Sequence, residues 1–447
     1  MISTAFPSIP STARFTSPAS PTANRLAGIG PSAAADAAGE MEPGRDEEDE
    51  DASAGGAPKG RFLAQRGVKE DDDDAEEDYS GGGSGEDDDD EDEDDDASGV
   101  SLGTIGSDAI MLPPGMKNAH VANLLRARKL ILVLDLDNTL INSVGFRRFS
   151  PTEKANGFTK EIRDDPSRGL FRLEPYRVST LTKLRPFVHE FLREASGMFE
   201  MHVYTLGGRS YARAVVKLLD PDGVYFGERI ISFDDSSQPY RKSLDAVVGP
   251  SSASATEHAA VVILDDKARV WDGYNDNLIE MEPYLYFASD CRRYGSKAAQ
   301  SLAERRLDES ESDGALAVTL RVLRQVHYCF FSGSVCCGSF SDVRELIRQM
   351  RREVLRGCTV VFTGVIPPEV VQPSCHDMWR KAEQLGATCS DDVGPEVTHV
   401  VAANPSTSEA RWAQEHGKSL VNPRWISAAR FRWSKPKEED FPVKEES

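Results

Sequence analysis

The sequence predicts an α/β protein: a doubly wound parallel sheet, a smaller α/β domain after it and a disordered acidic region before it. Three stretches carry the prediction. "KLILVLDLD", "FEMHVYTLG" and "HAAVVILDD" each read as a short strand buried on both faces, and each ends in a polar group. "KLRPFVHEFLREAS" and "GRSYARAVVKLLDPDG" lie between them with helical periodicity and stops at Gly and Pro. Strands alternating with helices imply a parallel sheet whose site lies beyond the carboxyl ends of its strands. The polar strand ends are therefore expected to converge there.

From the amino terminus, residues 1–107 are expected to be disordered. The first stretch is rich in Ser, Pro and Ala and has no acidic residue before Asp36, a composition shared by plastid transit peptides and by solvated tails. The solvated tail is the favoured reading. Between Asp46 and Asp96 stand 25 acidic and four basic residues, so almost all of the net charge of -22 sits in this segment. Such blocks cannot bury enough apolar area to offset chain entropy; they repel other polyanions or dock on basic proteins. The rest of the chain is close to neutral, so the low pI says nothing about the substrate of a catalytic site, and no direct nucleic-acid partner is expected. Seven cysteines, an odd number and without CxxC spacing, suggest reduced thiols. No apolar run approaches the roughly 20 residues that span a membrane, so no membrane role is expected.

Residues 108–306 carry the chemistry. In "DLDNT", Asp135 and Asp137 leave the first strand on the same side, where two carboxylates repel unless a cation or a shared proton intervenes. A DxD of this kind can also cap a helix or bind a metal without turnover. Its company argues for more. The second strand ends in Thr205, a hydroxyl donor; "YRKSLDAVVG" offers Lys242, a point charge suited to phosphate; the third strand ends in Asp265 and Asp266. Two acidic pairs, a hydroxyl and a lysine suit one divalent cation and one phosphoryl group, and hard oxygen donors point to Mg²⁺.

These residues resemble the haloacid dehalogenase superfamily, and more narrowly the FCP-type phosphatases of the RNA polymerase II C-terminal domain. The motifs are "LVLDLDNTLINS", "LTKLRPFVHEFL", "VYTLGGRSYA", "RKSLDAVVG" and "VVILDDKARVWDGYNDNLI", in that order, within a match running from Ala119 to about Trp433. Gly208 departs from the family, which usually has Asn there. The resemblance implies an Mg²⁺-dependent protein serine/threonine phosphatase acting on phosphorylated heptad repeats in the nucleus. It implies Asp135 as nucleophile, Asp137 as general acid and base, and Thr205 and Lys242 as phosphoryl holders. The metal is expected at Asp135, the Asp137 carbonyl and Asp265, with Asp266 completing its shell or orienting the lysine. Thr139, Arg185 and Arg209 are candidate substrate contacts. The polar stretch from Gly145 to Lys183 reads as an irregular flap that shapes a peptide groove.

Residues 307–350 are expected to form an amphipathic helical connector packed on both domains, with Cys329, Cys336 and Cys337 as buried hydrophobes rather than ligands. Residues 351–437 resemble a BRCT domain, with Trp425 as its core anchor, and 438–447 form a charged tail. BRCT phosphate pockets use a hydroxyl and a glycine, matched by Thr363 and Gly364, and a lysine. Glu409 stands where that lysine is expected and Arg411 is the available substitute, so phosphopeptide binding by this module is not favoured. General transcription factors are candidate partners of this module or of the acidic segment. A second reading makes the chain a catalytically weak scaffold that recruits partners through the BRCT module. The presence of both aspartates with Thr205, Lys242 and the second acidic pair favours the enzyme.

Overall fold

The computed structural model describes residue 112 and residues 115–444, apart from 175–178, 237–239, 250–255, 295–299 and 333–341. The readings of residues 1–107, Cys336 and Cys337 lie outside the described residues.

In chain order the strands are β1 (Leu130–Leu134), β2 (Ile141–Gly145), β3 (Leu170–Leu173), β4 (Thr180–Leu184), β5 (Phe199–Tyr204), β6 (Ile230–Ile231), β7 (Val261–Asp265) and β8 (Leu278–Glu280), then β9 (Thr359–Thr363), β10 (Thr388–Ser390), β11 (His399–Ala402) and β12 (Ser419–Val421). The first sheet has the order β6-β5-β1-β7-β8 with every pairing parallel. β1 and β7 are buried at all five positions, as unbroken apolar runs require when helices cover both faces. The strand order reverses at β1, which places the ligand crevice at its carboxyl end. The expected convergence of strand ends is what the topology delivers.

Helix Val188–Ser196 buries Val188, Phe191, Leu192 and Ala195, and helix Arg209–Leu219 buries Ala212, Val215, Val216 and Leu219. Both show the three-and-four spacing of an amphipathic face. Lys183 and Leu184, expected at the head of a helix, instead close β4, because Pro186 disfavours the helical conformation at Arg185 before it.

The stretch from Gly145 to Lys183 is not an irregular flap. β2, β4 and β3 pair antiparallel, with three short helical segments between β2 and β3. Val144, Phe149, Phe158, Leu170 and Leu181 build a separate small core with Tyr284, Tyr286 and Phe287. Aromatic rings from a segment more than a hundred residues away order what composition alone reads as loop.

The connector is a structural part of the first core. Helix Ala315–Ser332 sends Leu316, Leu320, Leu323, Val326 and Cys329 into the same cluster as the sheet, and helix Val343–Val354 adds Val343, Leu346 and Ile347. The border expected at 350/351 thus falls inside one helix. The second sheet, β10-β9-β11-β12, is also parallel, and Trp425 is fully buried against it with its indole N–H on Pro436 O at 3.0 Å. Among the described residues no helix is long and apolar enough to cross a membrane.

Candidate active site

The loop after β1 is held by its backbone. Asn138 adopts φ +65°, a left-handed conformation that Asn tolerates better than most residues, and its N–H meets Ile141 O at 2.7 Å. Tyr284 N–H ties down Asn138 O at 2.7 Å. The turn returns Thr139 beneath Asp135, where its hydroxyl lies 3.3 Å from Asp135 Oδ2 and accepts the Asp266 N–H at 3.1 Å.

Lys242 stands at the centre. Its Nζ donates to Asp135 Oδ1 and to Asp265 Oδ2, both at 2.6 Å, and all three side chains are buried. Burial alone would lower the ammonium, but Asp135 and Asp265 outweigh it and hold the lysine charged. Two of its three donors are used, which leaves one for a ligand. Asp265 is fixed further by the Trp271 indole at 2.8 Å and the Lys267 N–H at 2.8 Å. Asp266 does not orient Lys242; its carboxylate takes the Tyr294 hydroxyl at 2.5 Å and lies 3.4 Å from Lys267 Nζ.

Asp137 points elsewhere. Its Oδ1 accepts the Tyr211 hydroxyl at 2.6 Å, and that hydroxyl oxygen also contacts Ser143 Oγ at 3.1 Å. Burial raises the Asp137 pKa and the Tyr211 hydrogen bond only partly opposes this. The paired aspartates therefore have different surroundings: Asp135 faces Lys242 and the acidic cluster, Asp137 a phenol. Thr205 Oγ1 accepts the Gly207 N–H at 2.9 Å, so its own proton is available to the cavity. Asp135, Asp137, Thr205, Lys242, Asp265 and Lys267 all line one cavity of about 330 Å³. Gly208, with φ -67° and no atom closer than 3.7 Å to a Cβ built there, leaves the loop room for a larger residue.

Carboxylate oxygens of Asp135, Asp265 and Asp266 lie within 4.8 Å of one another. At that spacing each pair repels by about 3 kcal/mol at an effective dielectric near 20. Burial and the charges of Asp265 and Asp266 push Asp135 up to about 8 despite Lys242. Lys242 and Lys267 are the cations that line this cavity against its acidic groups, and the candidate ligand donors are all oxygen. That set fits a hard divalent cation. The Asp137 carboxylate, turned to Tyr211, lies outside the cluster.

The three candidate substrate contacts are placed differently from the expectation. Thr139 is fully buried and spends its hydroxyl on Asp135 and Asp266. Arg185 is 1% exposed and donates to both oxygens of Glu309, to Thr139 O and to Glu282 O. It is a strut between β4, the catalytic loop and the connector, and its guanidinium is committed to those partners. Arg209 is half-exposed outside the cavity, paired with Asp235 at 2.5 Å. Glu309→Ala is expected to leave the Arg185 charge buried without its partner and to destabilise folding by about 3 kcal/mol. Chemical denaturation reads the loss, and an unchanged midpoint would remove the strut role.

Composition could not single out Tyr211, Trp271, Tyr294 and Lys267 as site residues. A faint signal existed for Tyr211, a hydroxyl at the head of the buried helical stripe Tyr211-Val215-Leu219. Tyr211→Phe is expected to reduce kcat/KM by roughly 10-fold or more, the worth of one hydrogen bond to a charged group. Because that bond lowers Asp137, the limb of the pH profile set by Asp137 should move to higher pH. An unmoved limb would mean that Tyr211 only packs.

Residues 130–301 match the NLI interacting factor-like phosphatase family, and residues 350–428 match the BRCA1 C-terminus (BRCT) domain family. RNA polymerase II C-terminal domain phosphatase-like 4 of Arabidopsis thaliana is 47% identical over 326 residues, which is 72% of each protein. This chain belongs to the RNA polymerase II C-terminal domain phosphatases. Membership makes it a protein-serine/threonine phosphatase. An RNA polymerase II C-terminal domain phosphatase of Caenorhabditis elegans is 34% identical over 341 residues, covering 74% of this chain and 48% of that protein. The chain spans only 25% of a further Arabidopsis thaliana relative, phosphatase-like 3. The solved structure of Fcp1, an essential RNA polymerase II CTD phosphatase, shares the fold at a TM-score of 0.55, with 24% identity over 73% of this chain and 99% of that one.

Proposed function

We propose that this phosphatase removes phosphate from serine in the heptad repeats of the RNA polymerase II C-terminal domain, acts in the nucleus, and passes through an aspartyl-phosphate on Asp135. The observation that carries the reading is the clamp of Lys242 on Asp135 and Asp265, beside an Asp137 whose pKa is raised by burial. Magnesium, held by Asp135, Asp265, Asp266 and the Asp137 carbonyl, would supply the positive charge that offsets repulsion between an anionic nucleophile and a phosphate dianion.

The protein groups do the rest. Asp135 attacks phosphorus, the bond to the serine oxygen breaks, and Asp137 gives that oxygen its proton. Asp137, now a carboxylate, takes a proton from water as the water attacks the aspartyl-phosphate. The bond to Asp135 breaks and inorganic phosphate leaves. Lys242, with its remaining donor, and Thr205, with its free hydroxyl proton, hold the phosphoryl oxygens. Thr139 keeps Asp135 in line, and Tyr211 keeps Asp137 aimed away from the acidic cluster.

Turnover of phosphoserine heptad peptides should vanish on chelation and return with Mg²⁺. Independently of activity, Mg²⁺ at about 100 times its Kd should stabilise folding by about 3 kcal/mol, read as a rise in Tm. Asp266→Asn should diminish that rise. Turnover that survives chelation, or a Tm indifferent to Mg²⁺, would overturn the metal assignment.

In the BRCT module, Thr363 donates its hydroxyl to Glu409 at 2.7 Å, so an internal carboxylate occupies the group that would greet a phosphate. Arg411 is exposed and makes no ion pair among the described residues. This arrangement argues against phosphopeptide capture at that pocket, so recruitment of general transcription factors by the module would need another surface or would fall to the acidic segment.

A further inference from the structure

A second charged cavity lies at the seam of the phosphatase domain, helix Val343–Val354 and the BRCT module. It has a volume of about 500 Å³ and five arginines in its wall: Arg348, Arg351, Arg352, Arg380 and Arg430. Asp276 and Glu383 are the acidic residues of that wall. Arg430 is satisfied by Glu280, and Arg348 by Glu345 at 2.5 Å and Asp276 at 3.4 Å. Arg351, Arg352 and Arg380 have no carboxylate within ion-pair distance among the described residues. Arg351 donates to Leu278 O and stacks its guanidinium 5.5 Å from the Trp433 ring centre; Arg380 donates to Cys375 O at 2.7 Å.

This arrangement is unfavourable as it stands. Arg348, Arg351 and Arg352 share one helix face at three- and four-residue spacing, where like charges destabilise a helix. Burial pushes Arg351 down to about 10, with only Asp276 opposing. An anion in the cavity would relieve both strains, and clustered guanidinium forks match the oxygens of a phosphate. Asp276 and Glu383 divide the wall, which favours a single phosphate over the continuous charge of a nucleic-acid backbone.

We propose that this arginine-lined cavity is a docking site for a second phosphoserine of the same substrate chain, outside the repeat being hydrolysed. The proposal rests on the function given above. Leu278 opens β8, two strands from β1 and level with Val133 through Ile263, so this wall of the cavity lies about 10 Å across the sheet and about 7 Å along it from Asp135. Seven extended residues reach up to roughly 24 Å, enough to seat phosphates of adjacent repeats in the two sites.

The test uses the full chain carrying Asp135→Asn to stop turnover. Fluorescence anisotropy at low salt compares a peptide bearing two phosphoserines seven residues apart with the singly phosphorylated peptide. The doubly phosphorylated peptide should bind at least 10-fold tighter, and Arg352→Glu with Arg380→Glu should erase that advantage while leaving the single phosphate's Kd unchanged. Equal Kd values for the two peptides, an equal loss on both, or single-stranded RNA binding more tightly through the same arginines would overturn the proposal. With Asp135 restored, the arginine variant should turn over p-nitrophenyl phosphate at the wild-type rate. If the wild type itself turns over no phosphate ester, the catalytic reading fails, while the anisotropy still decides the cavity.

Discussion

Asp135→Asn will abolish phosphatase turnover, a fall on the order of 10⁵-fold or more, while the protein stays folded. The amide keeps the volume but loses the charge that attacks phosphorus, and loss of a nucleophile typically removes nearly all the advantage of the assembled site. The same change relieves repulsion among Asp135, Asp265 and Asp266, so the metal-free variant should melt no lower than the wild type. Asp137→Asn is expected to behave differently. It removes a proton donor worth about 10²–10⁴-fold on phosphoserine, where the leaving oxygen is poor. An aryl phosphate, whose leaving group needs little protonation, should still transfer its phosphoryl group to Asp135 and accumulate as the aspartyl-phosphate. Acid-quench trapping on both substrates distinguishes the two. A trapped intermediate in Asp135→Asn would displace the nucleophile, and identical behaviour of both variants on both substrates would displace the acid.

Gly386→Ala is expected to have the largest effect on stability. Gly386 has φ +90°, and a Cβ built there would stand 1.8 Å from the Arg352 carbonyl oxygen. The left-handed backbone costs about 1–2 kcal/mol and overpacking typically 1–3 kcal/mol, a joint loss of roughly 2–5 kcal/mol. The close approach exists because Leu355 N–H bonds Leu385 O at 2.8 Å, which pins the end of helix Val343–Val354 against helix Asp377–Gln384. Hydrogen exchange should show the BRCT core around Trp425 and Val401 losing protection first. Undiminished protection there would mean that the helix end can move aside, and the seam would be softer than its packing implies.

Much of the architecture was legible because it is periodic. The three apolar runs, the glycine and proline stops and the polar strand ends are local signals, and they suffice to place Asp135, Thr205 and Asp265 at one edge of a sheet. The antiparallel unit from Gly145 to Lys183 was not legible, since its core borrows Tyr284, Tyr286 and Phe287 from beyond β8. The role of Arg185 was hidden for the same reason. An arginine beside a catalytic motif looks like a phosphate ligand until Glu309 is seen to take its fork with both carboxylate oxygens.

By itself the sequence determined which groups carry charge and, through residue spacing, which strand ends present them. Those properties are set by neighbours one to four positions away. Only the tertiary structure decided which partner each group has. Tyr211 meets Asp137 across 74 positions of chain and Arg185 meets Glu309 across 124. Such pairs form where helices and loops pack, and packing turned two equivalent aspartates into one clamped by Lys242 and one held by a phenol.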